Sequence, residues 1–179
     1  MIDINKFVLE RRIKRILKKS KREKEYRNLN EIKSVLLFFD TRDYSDASHF
    51  IKQLKKMNKR VTVYAYKDKN DTNDYSKILH KVVTERDMNI WKRDSLKELV
   101  NSLDSDSPYD LVIDLTPREN VLLQYLLVAA DSPLKVGFCK TRLPVYDMVI
   151  SFAAEKELNE IITTRELSKQ LIHYLSTIA

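Results

Sequence analysis

The sequence predicts an α/β fold built around a mostly parallel sheet, and three observations carry that prediction. Continuous apolar runs of strand length recur along the chain, SVLLFFD (34–40), RVTVYAY (60–66) and YDLVIDL (109–115) being the clearest. Amphipathic segments of helical period separate them. No internal repeat or low-complexity linker interrupts the alternation. Strands alternating with helices predict right-handed crossovers that place helices on both faces of one sheet.

Taken in order, residues 3 to 25 have helical period. Leu9, Ile13, Ile16 and Leu17 form one apolar stripe, and Arg11, Lys14, Arg15, Lys18 and Arg22 fall on the opposite side. The tail KKSKREKE (18–25), which includes Lys19, has nothing to bury and is expected to project. The run 34–40 reads as a strand buried on both faces. A helix over 44–59 carries Phe50, Ile51, Leu54 and Met57 on one side. The β-branched and aromatic run 60–66 follows as the second strand. After a polar loop at 67–75, the segment 76–91 reads as a short helical turn and then a strand near Lys81 to Thr84. SLKELVNSL (95–103) is a helix that ends at the turn DSDSP. After the strand 109–115, Thr116, Pro117 and Glu119 have the pattern of a capping box opening the helix NVLLQYLLVAA. LKVGF (134–138) and DMVISF (147–152) read as two short strands. A second capping box, Thr163 with Glu166, starts a last helix carrying Leu167, Leu171, Tyr174, Leu175 and Ile178 on one face. The expectation is a Rossmann-like three-layer sandwich of about five or six strands. A basic helical extension (1–30) would precede one α/β domain (31–179).

Composition excludes several function classes. The chain has 179 residues, enough for one domain with a real core, and 43% of them are hydrophobic. Its single cysteine, Cys139, forbids an intramolecular disulfide and a clustered-thiolate zinc site. Its single glycine, Gly137, forbids both the dinucleotide fingerprint and the P-loop, which need several glycines where backbone approaches phosphate. Charges break every apolar run near the start, so no secretory signal is read there. No apolar run approaches the roughly 20 residues needed to cross a bilayer. The expected location is the cytoplasm.

No metal or cofactor site is expected. His49, His80 and His173 are isolated from one another, whereas a metal needs a cluster. Cys139 has Lys140 and Arg142 beside it, but no nearby histidine to make it a nucleophile. Trp91 reads as packing over the edge of the core.

Charge is distributed unevenly. Residues 1–30 hold eleven Lys and Arg against four acids, while the remaining chain holds 22 of each sign. The whole net charge of +7 therefore belongs to the first helix and its tail. Like charges at i, i+3 and i+4 on that helix each cost roughly 0.2–0.5 kcal/mol. Phosphates would turn this repulsion into attraction through counterion release. An anionic partner is expected at Arg11, Lys14, Arg15, Lys18, Lys19 and Arg22, against the plainer account of a solvated helix face.

The segment YDLVIDLTPRENVLLQYLLVAADSPLKVGF (109–138) resembles the N-terminal domain of heptosyltransferase-like GT-B glycosyltransferases. In that family a strand ending in Asp-Leu leads into a helix and then a short strand ending in Gly-Phe. The resemblance implies a Rossmann-like body. It also marks departures: those enzymes hold sugar nucleotide mainly in a second domain, and they carry a glycine-rich loop where this chain has DTRDYSD. End to end, the chain looks more like a family of short uncharacterised bacterial proteins.

Open α/β sheets bind ligands beyond the carboxyl ends of their strands. That rim would present Asp40, Thr41, Arg42 and Asp43, then Lys67 and Asp68, then Thr116 and Arg118. Asp40, Arg42, Thr116 and Arg118 are the candidate ligand residues, although capping also accounts for Thr116 and helix starting for Asp43. Asp110 and Asp114 flank one strand, and structural roles are favoured over acid–base chemistry for both. The expected function is non-enzymatic: the basic helix docks on RNA or a ribonucleoprotein such as the ribosome, with no DNA sequence motif. Two alternatives stay open, a sugar- or nucleotide-binding remnant of a glycosyltransferase-like domain and a peripheral membrane-surface protein.

Overall fold

The computed structural model describes residues 4–75, 79–88, 93–103, 108–138, 141–150 and 163–178, without the side chains of 93 and 94. Cys139 and Trp91 lie outside the described residues, as do the short helical turn expected at 76–78 and the end of DMVISF.

Six strands form one all-parallel sheet in the order β3-β2-β1-β4-β5-β6. They are β1 (Ser34–Asp40), β2 (Arg60–Lys67), β3 (Lys81–Thr84), β4 (Leu111–Asp114), β5 (Lys135–Gly137) and β6 (Met148–Val149). This is the doubly wound Rossmann order, in which the chain works outward from β1 first to one edge and then, from β4, to the other. The helices are α1 (Ile4–Lys19), α2 (Tyr44–Lys56), α3 (Arg93–Leu103), α4 (Val121–Ala129) and α5 (Thr164–Thr177).

The side-chain alternation of β1 divides the core in two. Leu36 and Phe38 face the layer containing α1, α3 and α4, and Val35, Leu37 and Phe39 face α2 and α5. All seven β1 residues are buried, as a strand covered on both faces requires. In α4, seven of nine residues are buried, leaving no polar face. A helix apolar all round must be covered all round. The sheet covers one side and α1 the other, through Leu9 and Ile13, both fully buried.

Two expected helix boundaries are corrected. The first helix stops at Lys19 instead of continuing to Glu25, and KKSKREKE does not project. Beyond Lys19 the chain becomes an extended strap held against the amino ends of the strands. The Arg22 guanidinium donates to the carbonyls of Ser132 (3.0 Å) and Pro133 (2.7 Å) and to Asp147 (2.6 Å). The Glu25 N–H donates to the Pro133 carbonyl. Arg27 reaches Asp110, which also accepts the N–H groups of Lys33 and Ser34 at the start of β1. An arginine with three acceptors on the body has the docking that an apolar tail would otherwise supply.

The second correction concerns Thr116, Pro117 and Glu119, which form no capping box. The helix starts later, at Val121, where the Asn120 side chain accepts the N–H groups of Leu122 and Leu123. Thr116 is instead turned inward, where its N–H and hydroxyl both donate to Asp114. The capping box at Thr163 and Glu166 is formed.

Candidate functional site

Two places bring predicted residues together. The first is the outer face of α1. Arg11, Lys14, Arg15, Lys18 and Lys19 are all exposed there, and none forms an ion pair with another described residue. Their mean direction is opposite to that of Leu9 and Ile13, as the 100° step requires. From Arg11 to Lys18 they span about 10 Å of helix axis. Phe7, half exposed, lies on the same side, with the Arg11 guanidinium 5.4 Å from its ring centre. Of the six predicted cations, Arg22 is not on this face. It is four-fifths buried in the strap contacts.

The strap encloses a small charged group. Asp147, almost fully buried, accepts from Arg22, from Lys24 (3.1 Å) and from the Lys135 N–H (2.9 Å). Burial pushes its carboxyl up, but these bonds outweigh burial and hold it below the usual carboxylate range. Lys135 donates its ammonium to the Leu127 and Val128 carbonyls at the end of α4. Burial, reinforced by neighbouring Arg22, brings its pKa down to about 7.

The second place is the switch point between β1 and β4, where the two halves of the winding diverge. An open cleft of about 390 Å³ lies beyond the carboxyl ends of these strands, and all four candidate ligand residues of the rim, Asp40, Arg42, Thr116 and Arg118, line it. Arg42 makes a two-pronged contact with Asp40, Nε to Oδ1 at 2.9 Å and Nη2 to Oδ2 at 2.7 Å. This bonding outweighs the loss of hydration and raises the Arg42 pKa. Arg118 is exposed and makes no ion pair with a described residue.

Asp43, named at the rim from the sequence, also lines the cleft, and sequence reasoning did not name Tyr66 and Thr164 there. Asp43 stands at the start of α2 without making a side-chain cap. Burial and the neighbouring Asp40 push its carboxyl pKa up. Tyr66 forms part of the wall. Thr164, at the first position of α5, is buried, and its hydroxyl has no hydrogen-bond partner among the described residues. Asp43 was legible both as a rim residue and as a helix starter. Thr164 becomes a cleft residue only when α5 crosses the sheet to reach the β1 rim.

Beneath the rim, Asp114 is fully buried and accepts from Thr116 and from the Tyr146 hydroxyl at 2.8 Å. Burial raises its pKa, and those hydrogen bonds oppose the rise only in part. Its partners are hydroxyls and an amide, so it has a structural place in the core. Among the described residues no three His, Cys, Asp or Glu side chains are placed to hold a metal, and no helix is long and apolar enough to cross a membrane.

The chain matches, over residues 5–178, a family described as "Family of unknown function (DUF6913)". It belongs to that family. The match runs through α1, the strap and the sheet alike. No curated protein and no solved structure gives a significant match. The likeness to glycosyltransferases therefore rests on residues 109–138 alone.

Proposed function

We propose that the protein is a non-enzymatic cytoplasmic binding protein that docks on RNA, within a ribonucleoprotein such as the ribosome, through the outer face of α1. The observation that carries this reading is the set of five exposed cations, Arg11, Lys14, Arg15, Lys18 and Lys19, on a helix clamped to its own domain. A clamped helix presents them in a fixed array, so little ordering entropy opposes binding. The pairs 11–14, 11–15, 14–18, 15–18 and 15–19 together cost the free protein roughly 1–2.5 kcal/mol of like-charge repulsion. Phosphates of a polyanion relieve that repulsion and release counterions.

RNA is favoured over a bilayer because the apolar stripe of α1 is already occupied. Leu9 and Ile13 are fully buried, which leaves Ile4 and Phe7 as the large exposed apolar groups of the helix. Insertion at a membrane interface needs a continuous apolar face.

The test is RNA affinity measured between 50 and 200 mM salt for the intact chain and for the Lys14→Gln, Lys18→Gln double variant. Each lost phosphate contact should reduce the slope of log K against log salt by about 0.7–0.9, hence by about 1.4–1.8 for the pair. An unchanged slope and affinity would sink the reading. Sedimentation with anionic liposomes, if it followed the same two lysines while RNA binding did not, would favour the membrane surface instead.

A further inference from the structure

The cleft at the β1–β4 switch point lies at the carboxyl ends of the strands, whereas the strap and the end of α1 lie at the amino ends. Any ligand it takes is therefore separate from the partner of α1. Its lining already contains one satisfied pair, Asp40 with Arg42. Glu119 is engaged too, accepting the Arg142 N–H at 3.2 Å. Three groups are left over. The Asp43 carboxylate makes no cap bond to its own helix. The Arg118 guanidinium is exposed and makes no ion pair with a described residue, yet lies near enough to influence Asp43 electrostatically. Thr164 lines the cleft, and its hydroxyl is buried without a partner among the described residues.

These leftovers define the ligand. An unpartnered buried hydroxyl is a cost already present in the free protein, so a group that bonds to it removes that cost. Thr164 opens α5, a helix of 14 residues whose amino end carries partial positive charge. With Arg118 it makes a place for one anionic group. Asp43 and Asp46, both at the start of α2, present carboxylates to the same space. Asp40, Asp43, Asp46 and Glu119 outnumber Arg42 and Arg118 in the lining, so a phosphate-rich ligand would meet net repulsion. A molecule with one negative and one positive group matches both kinds of charge and brings no net charge. We propose that this cleft binds a small zwitterion, an amino acid or a short peptide, with its carboxylate on Arg118 and Thr164 and its ammonium on Asp43 and Asp46. The volume of about 390 Å³ leaves room beside those two groups for a large side chain or a second residue, with Tyr66 as one wall.

The test is thermal stabilisation of the intact chain by L-leucine, L-glutamate, L-arginine and dialanine, each beside its N-acetylated and its amidated form, with isothermal titration of the best probe. At least one free zwitterion should raise the melting temperature, and both of its blocked forms should fail. A stronger response to dialanine than to any amino acid assigns the site to peptides, and the reverse assigns it to free amino acids. Arg118→Gln and Asp43→Asn should each weaken binding by about 10- to 100-fold. Thr164→Val should weaken it while leaving the ligand-free melting temperature unchanged or raised, because the lost hydroxyl had no partner. Neither Asp43 nor Arg118 makes a structural contact whose loss would unfold the chain, so an altered fold does not confuse the result. The proposal is overturned if no zwitterion stabilises the protein, if blocked forms bind as well as free ones, or if a sugar nucleotide binds in their place.

Discussion

Gly137 is the only glycine of the chain, and its backbone is not in the left-handed region. What it supplies is space: a Cβ at this position would overlap the ring of Tyr146. That ring must lie there because its hydroxyl donates to the buried Asp114. Gly137→Ala is expected to displace Tyr146 and leave Asp114 short of a donor, costing about 2–5 kcal/mol in urea unfolding. Tyr146→Phe removes the hydrogen bond alone and should cost less, about 1–3 kcal/mol, so the difference between the two reports the steric part. Equal costs would mean that the ring has room to move. The sequence showed that a lone glycine excludes phosphate loops. It did not show why the glycine is present, because the reason is a side chain nine residues later.

The strap between α1 and β1 was the least legible segment. Its composition, KKSKREKE, reads locally as a solvated tail, and the partners of Arg22 are separated from it by 110 to 125 residues. No local pattern encodes a contact of that range. The docking of α1 did leave a trace in another element: α4 has no polar face and so required a second cover. Asp147→Asn should release the strap, costing about 3 kcal/mol, the low end for a broken buried pair because the lost partner leaves Arg22 near other acceptors. The same change alters the pH response. The Asp147 pKa is lowered in the folded chain, so its stabilisation is complete above its unfolded pKa and is lost as pH falls through the lower folded value. Acid unfolding of the native chain should therefore include a component, below about pH 4, that the Asn variant lacks. Hydrogen exchange at the Glu25 N–H, which is bonded to Pro133, gives a local readout of strap release.

Over the whole molecule, apolar runs and helical periods were enough to expect the parallel sheet, its two helical layers and the convergence of Asp40, Arg42, Thr116 and Arg118 on one rim. What stayed hidden was set by distance in the chain. Thr164 reaches the rim cleft, and Arg22 and Asp147 meet under a strap, only once the sheet exists. The unity of the chain can be measured. Deleting residues 1–19 removes Leu9 and Ile13, at about 2–5 kcal/mol each, and bares the outer side of α4. Such a chain should melt far lower than the native one or fail to fold, whereas the Lys14→Gln, Lys18→Gln variant should melt unchanged or slightly higher. RNA binding lost by deletion alone would thus say nothing about α1, and the charge variant is the decisive one.

The same long-range clamping has a consequence for biosynthesis. The strap cannot close onto its final anchor until Asp147, 125 residues after Arg22, has been made. At about 5–20 residues per second that interval is about 6–25 s. During it Arg22 and Lys24 lack the carboxylate that holds them in the finished protein. The strap, made early, is secured late.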